Sequence, residues 1–258
     1  MVGIIGVGRL GGAITRWFPG KILAFDREKE KVERLEELRQ ESLFSSFEDI
    51  VKLCDIILVA TDDKNIEKVA ADIAEKIEKP KVVVHFSGAL PSNVLKKSEN
   101  LHTASLHPLG TFTKNSVDKN PFANIFWFGE GEATKLAWET VGKLGGTLFE
   151  IATEKKSLYH LGASFGSYIL LAILDIAKNR FTQAGIEETL AKKCVAKIAK
   201  SAISNFGTLK ICDAMTGPVI RGDEEIIQSH LKNLSGVERE IYKAVVKYIK
   251  LSCCTKSE

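Results

Sequence analysis

Lys156, His160, Ser164 and Ser167 recur at spacings of four, four and three, which puts them in one polar stripe if the segment is helical. The rest of that segment is apolar on every side, through Leu158, Leu161, Phe165, Ile169, Leu170, Ile173 and Ile176, so the helix is expected to be buried. A polar stripe on a buried helix faces water, a partner or a site. Lys156 and His160 can each donate a proton, which is what the reduction of a carbonyl or imine needs beside the carbon receiving hydride. Lys156 also fits a solvated position near the helix start, and Ser164 and Ser167 are expected to bind substrate. His107 precedes Pro108, which holds its backbone extended and suits a side chain aimed at a bound anion or carbonyl. It is a third candidate for catalysis or substrate binding, against the plain alternative of a histidine closing a strand end. Arg221, in the stretch Met215 to Asp223, has the fork to clamp a substrate carboxylate or, equally, to tie carbonyls at a helix end. Gly162-Ala163-Ser164-Phe165-Gly166 spells the G-x-S-x-G of serine hydrolases, but that motif needs a strand before the serine and both flanks here read as helix. The two glycines read instead as a place where a second helix comes close.

A second group of residues concerns a cofactor. Gly6-Val7-Gly8-Arg9-Leu10-Gly11 is a G-x-G-x-x-G that follows an expected strand, opens an expected helix, and has Asp26 about 20 residues beyond its first glycine, at the end of the next strand. Gly6 makes the tight turn, Gly8 lets a pyrophosphate approach, Gly11 allows helix and sheet to pack, and Arg9 and Leu10 open a helix whose free N–H groups attract phosphate. Asp26 is placed to accept hydrogen bonds from a ribose 2′-hydroxyl, which favours NAD. Arg27 beside it could instead pair with the 2′-phosphate of NADP, so the choice stays open. Ligands in open α/β sheets bind beyond the carboxyl ends of the strands, so Thr61, Asp62, Ser87 and Gly88 are expected to border the nicotinamide half.

These residues need a particular framework. The 258 residues suggest two domains. Short β-rich runs, Val2–Gly6, Lys21–Asp26, Asp55–Ala60, Lys81–Phe86, His102–Leu106, Ile125–Phe128 and Thr147–Ile151, alternate with amphipathic stretches at Leu10–Phe18, Glu28–Arg39, Asn65–Ile77 and Glu132–Leu144. That pattern predicts an α/β Rossmann domain over residues 1–151, a doubly wound parallel sheet. From residue 152 to 258 only helical patterns remain, roughly Lys155–Phe181, Ile186–Phe206, Glu224–Leu234 and Val237–Leu251, with Gly185 and Gly222 at junctions and Asp223 as an N-cap. This smaller all-α domain is expected to bear substrate and to form a homodimer, since Leu161 to Ile176 offers more apolar surface than a small helical domain covers.

Composition narrows the function. A net charge of +3 spread over alternating Lys and Glu reads as solvated helix faces and excludes a nucleic-acid patch. The uncharged stretch Leu161 to Leu174 falls short of the roughly 20 residues needed to span a bilayer, and no signal peptide is expected at Met1. Five cysteines (Cys54, Cys194, Cys212, Cys253, Cys254), an odd number without C-x-x-C, predict reduced thiols in the cytoplasm, no metal site, and an incidental vicinal pair in a frayed tail.

The whole chain resembles a family of Rossmann-type oxidoreductases whose C-terminal domain, the 2520 type, has no assigned function. The resemblance rests on the glycine motif, His85-Phe86-Ser87-Gly88-Ala89-Leu90, Ser105-Leu106-His107-Pro108-Leu109, Lys156-Ser157-Leu158-Tyr159-His160, and Thr216-Gly217-Pro218 through Arg221-Gly222-Asp223. The family is similar to pyrroline-5-carboxylate reductase, ketopantoate reductase, prephenate dehydrogenase and 6-phosphogluconate dehydrogenase. The resemblance therefore implies NAD or NADP, a C-terminal domain like that of 6-phosphogluconate dehydrogenase, often a dimer, and hydride transfer to or from a small carbonyl, imine or hydroxy acid. In 6-phosphogluconate dehydrogenase a Lys and an Asn four residues later carry catalysis; Lys156 and His160 match that spacing with His in the Asn place. Members of this family commonly carry Asn where this chain has Ser167 and Gln where it has Gly110, so two amides are missing here. Two other readings remain: a nicotinamide-sensing protein without turnover, and a reductase using a deazaflavin carrier.

Overall fold

The β-branched runs assemble into a seven-stranded sheet in the computed structural model, which describes residues 1–113 and 119–254. Its strands are β1 (Val2–Ile5), β2 (Ile22–Phe25), β3 (Ile56–Val59), β4 (Lys81–His85), β5 (Leu101–Leu109), β6 (Phe126–Glu130) and β7 (Thr147–Glu150), in the order β2-β1-β3-β4-β5-β6-β7. All neighbouring pairs are parallel except β5–β6, which is antiparallel. Each strand coincides with an expected run; the reversal at β5–β6 is the departure from an all-parallel sheet. Between the strands lie α1 (Arg9–Trp17), α2 (Lys29–Arg39), α3 (Phe47–Leu53), α4 (Asp63–Ala74) and α5 (Thr134–Val141), packed over two apolar layers. β4 is buried along its whole length, as a central parallel strand covered on both faces must be.

The remaining helices are α6 (Lys156–Ser164), α7 (Leu170–Gln183), α8 (Glu188–Phe206), α9 (Ile211–Ala214), α10 (Pro218–Arg221), α11 (Glu224–Lys232) and α12 (Gly236–Ile249). A π-helical stretch, Phe165–Ile169, joins α6 to α7, so the helix runs unbroken through the G-x-S-x-G sequence and no nucleophile elbow forms. The N-cap expected at Asp223 is present, its carboxylate accepting from the Ile226 N–H. The chain divides into two compact units, 1–165 and 166–258; the first takes in α6 together with the sheet.

Three expectations are corrected. The apolar helix is not buried within one chain: Leu158, Phe165, Tyr168 and Leu171 are each 60–67% exposed. The run Thr153–Gln183 is also long and apolar enough, by length and composition, to cross a membrane, which counting uncharged residues alone understated. Finally, Cys212 and Cys253 form a disulfide across 41 residues, and Lys250–Cys254 continues α12 as a π-helical turn in place of a frayed tail. Sequence spacing could not pair these two cysteines, because the fold brings the end of the chain back beside α9. Cys54 and Cys194 are free thiols.

Candidate active site

The glycine motif lies between β1 and α1. Gly6 has φ +94°, a conformation that side chains disfavour. A Cβ on Gly11 would stand 2.0 Å from the Gly6 carbonyl oxygen, so this turn closes only with glycine at that position. α1 begins at Arg9 with no side-chain cap, leaving its first N–H groups facing outward as anion-binding ends do. Gly8 and Arg9 are exposed and Leu10 half-buried.

Asp26 closes this turn against β2. Its carboxylate accepts from the Val7 N–H at 2.7 Å and the Glu28 N–H at 2.9 Å, while the Lys31 ammonium stands 3.7 Å away. A groove of about 750 Å³ runs past Gly6, Gly8, Asp26, Arg27, Thr61 and Asp62. Within its lining the Thr61 hydroxyl is buried with no hydrogen-bond partner, an orphan that a bound polar ligand would satisfy. An uncapped helix end, a tight glycine turn, a held carboxylate and an unpaired hydroxyl along one groove fit a dinucleotide.

The other expected cofactor residues lie at the next strand end. Ser87 donates to Asp63 at 2.7 Å and accepts from the Ala89 and Leu90 N–H groups, so its hydroxyl shapes the turn after β4. Gly88, next along, is hemmed in: a Cβ there would stand 2.7 Å from His160 Cδ2 and 2.9 Å from His107 Nε2. The two imidazoles cross edge to face with centroids 6.4 Å apart. Gly88, His107 and His160 therefore share one spot, reached from β4, β5 and α6.

His107 Nδ1 lies 2.6 Å from the Tyr159 hydroxyl. Burial is the main reason that His107 is pushed down to about 4, with the Lys156 charge and His160 adding to it. Burial also raises the Tyr159 phenol, so at neutral pH it keeps its proton and His107 is uncharged. His85 is likewise pushed to about 4, by burial and then by Lys156; its ring accepts from the Ser87 N–H and lies 3.1 Å from the Pro91 carbonyl.

Lys156 is not solvated. It is 3% exposed, and its ammonium donates to Ser105 Oγ and, at 3.1 Å, to Glu130. Burial pulls this ammonium below the ordinary lysine range, with Glu130 opposing. Burial alone would raise Glu130, but donors from Ser92, Lys156 and Thr153 outweigh it and hold the carboxyl below its usual range. Ser164 donates back to the His160 carbonyl at 2.9 Å. Ser167 and the exposed Arg221 belong to the second unit.

Two residues of this cluster escaped the sequence reading. Tyr159 sits three residues after Lys156, a spacing that was available as a signal. Glu130 carried none, being an acid at a strand end whose partners are 23, 26 and 38 residues away. Among the described residues no group of acids, histidines and cysteines could hold a metal ion.

Comparison with known proteins agrees with this architecture. Residues 1–87 match the family model described as NADP oxidoreductase, coenzyme F420-dependent. Residues 125–249 match the domain of unknown function DUF2520. Among proteins of curated function none matches the chain. Solved structures share the fold over nearly the full length. A Thermotoga maritima protein is 23% identical with a TM-score of 0.74, covering 97% of each chain. A protein named as a candidate NADP oxidoreductase from Bacteroides fragilis is 20% identical with a TM-score of 0.78, covering 96% of each. The Plasmodium falciparum pyrroline carboxylate reductase with NADP bound is 16% identical, with a TM-score of 0.65 over 99% of this chain and 95% of the other.

Proposed function

The chain belongs to the Rossmann oxidoreductases that join an NADP-oxidoreductase domain to DUF2520, and from that membership we propose that it transfers hydride between a nicotinamide dinucleotide and a small carbonyl, imine or hydroxy acid. The observation that carries this reading is the meeting of His107 and His160 on Gly88, one strand end along from the dinucleotide groove. The bound dinucleotide supplies or accepts the hydride. The protein's own part is to orient the substrate and manage its proton. In this proposal Tyr159 is the donor to His107 Nδ1, so that His107 Nε2 carries the proton and can offer it to a substrate oxygen or nitrogen. His160, half-buried beside it, exchanges the proton with solvent. Lys156 acts from behind as a fixed charge, and Ser164, one helical turn after His160, borders the same end of α6.

Titration with NADH and NADPH, followed by nicotinamide fluorescence, tests the central claim. Binding of at least one form is expected, and no binding of either at millimolar concentration overturns it. Mass spectrometry of small molecules that co-purify with the protein then addresses the substrate. The family description favours one second reading, in which a reduced deazaflavin is the hydride partner. NADPH oxidation that requires added coenzyme F420 would select it.

The working form in this proposal is a homodimer built on the exposed apolar face of α6 and α7. A bilayer location for the same helix is disfavoured by Lys156, since drawing α6 into lipid would separate a buried ammonium from Glu130.

A further inference from the structure

We infer that Glu130 is the positioning residue of this site: its buried carboxylate seats the Lys156 ammonium on Ser105, and this link fixes the first turn of α6 over β5 so that Tyr159 meets His107. The inference rests on the proposed reading of His107, Tyr159 and His160 as the reacting end.

The geometry has two rungs. Ser105 and Glu130 are register partners across the antiparallel β5–β6 pair, and two residues along, on the same face, His107 partners Phe128. Lys156 and Tyr159 are three apart, one helical turn, and fall on these rungs in turn. Lys156 lies on Ser105 and Glu130; Tyr159 lies on His107 and on Phe128, whose ring centroid is 4.5 Å from its own. The Ser105 hydroxyl also donates to the Ser87 carbonyl at 3.3 Å, which ties the first rung to the turn that carries Gly88.

Glu130 is held more firmly than its partner. It accepts from the Ser92 N–H at 2.7 Å, the Ser92 hydroxyl at 2.8 Å, the Thr153 hydroxyl at 3.0 Å and the Lys156 ammonium at 3.1 Å. The carboxylate is thus the anchor and the ammonium the piece it places. A buried ion pair adds little net stability over an apolar pair of the same size, so stability alone does not account for this one.

Its charge also reaches the reacting end. The groups around the ammonium are Glu130 of β6, Asp63 of α4, His85 of β4 and His107 of β5, with His160 on its own helix beside His107. The positive charge presses both His85 and His107 toward the neutral form, and Glu130 keeps that charge in place.

The test is Glu130→Gln in the full chain, read by nitrogen-15 NMR of the histidine rings, with His107 assigned from a His107→Gln spectrum. The amide can still accept from the Ser92 N–H but holds no counter-charge for Lys156. His107 is expected to titrate at least about one pH unit above the wild type and to change its tautomer signature as the Tyr159 contact loosens. NADH affinity should stay within a few-fold; once a substrate is known, kcat should fall much more than KM rises, with Glu130→Asp partly restoring it. An unchanged His107 titration and tautomer, with only a lower Tm, overturns the inference and leaves Glu130 a structural ion pair. Should Glu130→Gln not fold, the double variant Glu130→Gln/Lys156→Met removes both charges together. A changed His107 tautomer signature in it, as the Tyr159 contact is lost with the link, supports the inference; an unchanged signature, or a double variant that also fails to fold, overturns it. A wild-type protein that binds neither NADH nor NADPH would sink the oxidoreductase reading alone, because the ring spectra need no cofactor.

Discussion

Asp26 shows how one side chain serves fold and ligand together. Its two oxygens take the Val7 and Glu28 N–H groups, and Val7 is buried, so Asp26→Ala strands a buried donor. A loss of about 1–3 kcal/mol in urea unfolding is expected, together with a fall in affinity for NADH relative to NADPH. An unchanged ratio would show that Asp26 does not contact the ribose. The buried histidines make a second residue-level prediction. His85 and His107 stay neutral in the folded chain down to about pH 4, whereas in the unfolded chain they protonate near 6.5. Between those values the unfolded chain binds more protons, so stability falls as pH drops. For fully buried His85 alone the loss is at most roughly 3 kcal/mol by pH 4. Thermal unfolding from pH 7 to 5, above the range where carboxylates titrate, should show Tm declining, and a flat profile there would count against neutral buried rings. The glycine turn, Asp26 after β2, His107 on β5 and His160 on α6 lie in the elements that their local signals of spacing or neighbour point to. Of the polar stripe, Lys156 points at the sheet, to Ser105 and Glu130, rather than at water. Glu130 was invisible because its meaning lies entirely in partners that only the fold brings near.

Among the elements, the strands were the easiest to read, since continuous β-branched runs such as Val82-Val83-Val84 fit a covered sheet and little else. α3 was missed for its seven-residue length, though Ser46 accepting from the Asp49 N–H is a helix start that the sequence displays as Ser-x-x-Asp. The antiparallel pairing of β5 with β6 was also hidden, because period-two patterning carries no strand direction. The Cys212–Cys253 disulfide joins α9 to the π-helical end of α12, and its effect is testable at this scale. A loop of 41 residues closed in the unfolded chain corresponds to about 4 kcal/mol on the chain-entropy model. Reduction should therefore lower the unfolding midpoint, Cys212→Ser should reproduce the lower value, and reductant should then add nothing further. A midpoint indifferent to reductant in the wild type would mean that the thiols are unpaired in solution.

At the scale of the whole molecule, the unresolved demand is a cover for the apolar face of α6 and α7. Leu158, Leu161, Phe165, Tyr168 and Leu171 follow one another at spacings of three, four, three and three, and all are exposed in the single chain. Such a seam is what two helices need in order to pack. A contiguous apolar strip of this length is unusual on a monomer's surface and marks an interaction site. The alternatives make different demands. A bilayer would have to unseat Lys156 from Glu130, while a second copy of the chain covers the strip and leaves that pair intact. Light scattering on the reduced and the oxidised protein should therefore give a dimer at tens of micromolar, with no detergent required. Burying a large apolar side chain contributes roughly 1.5–3 kcal/mol, so Phe165→Ala and Leu171→Ala should each weaken dimerisation about ten- to a hundred-fold. Leu171→Asp, which would bury an unpaired charge in the seam, should give a monomer at the same concentration. A wild-type monomer at tens of micromolar, or a dimer indifferent to Leu171→Asp, would place the contact elsewhere on the chain.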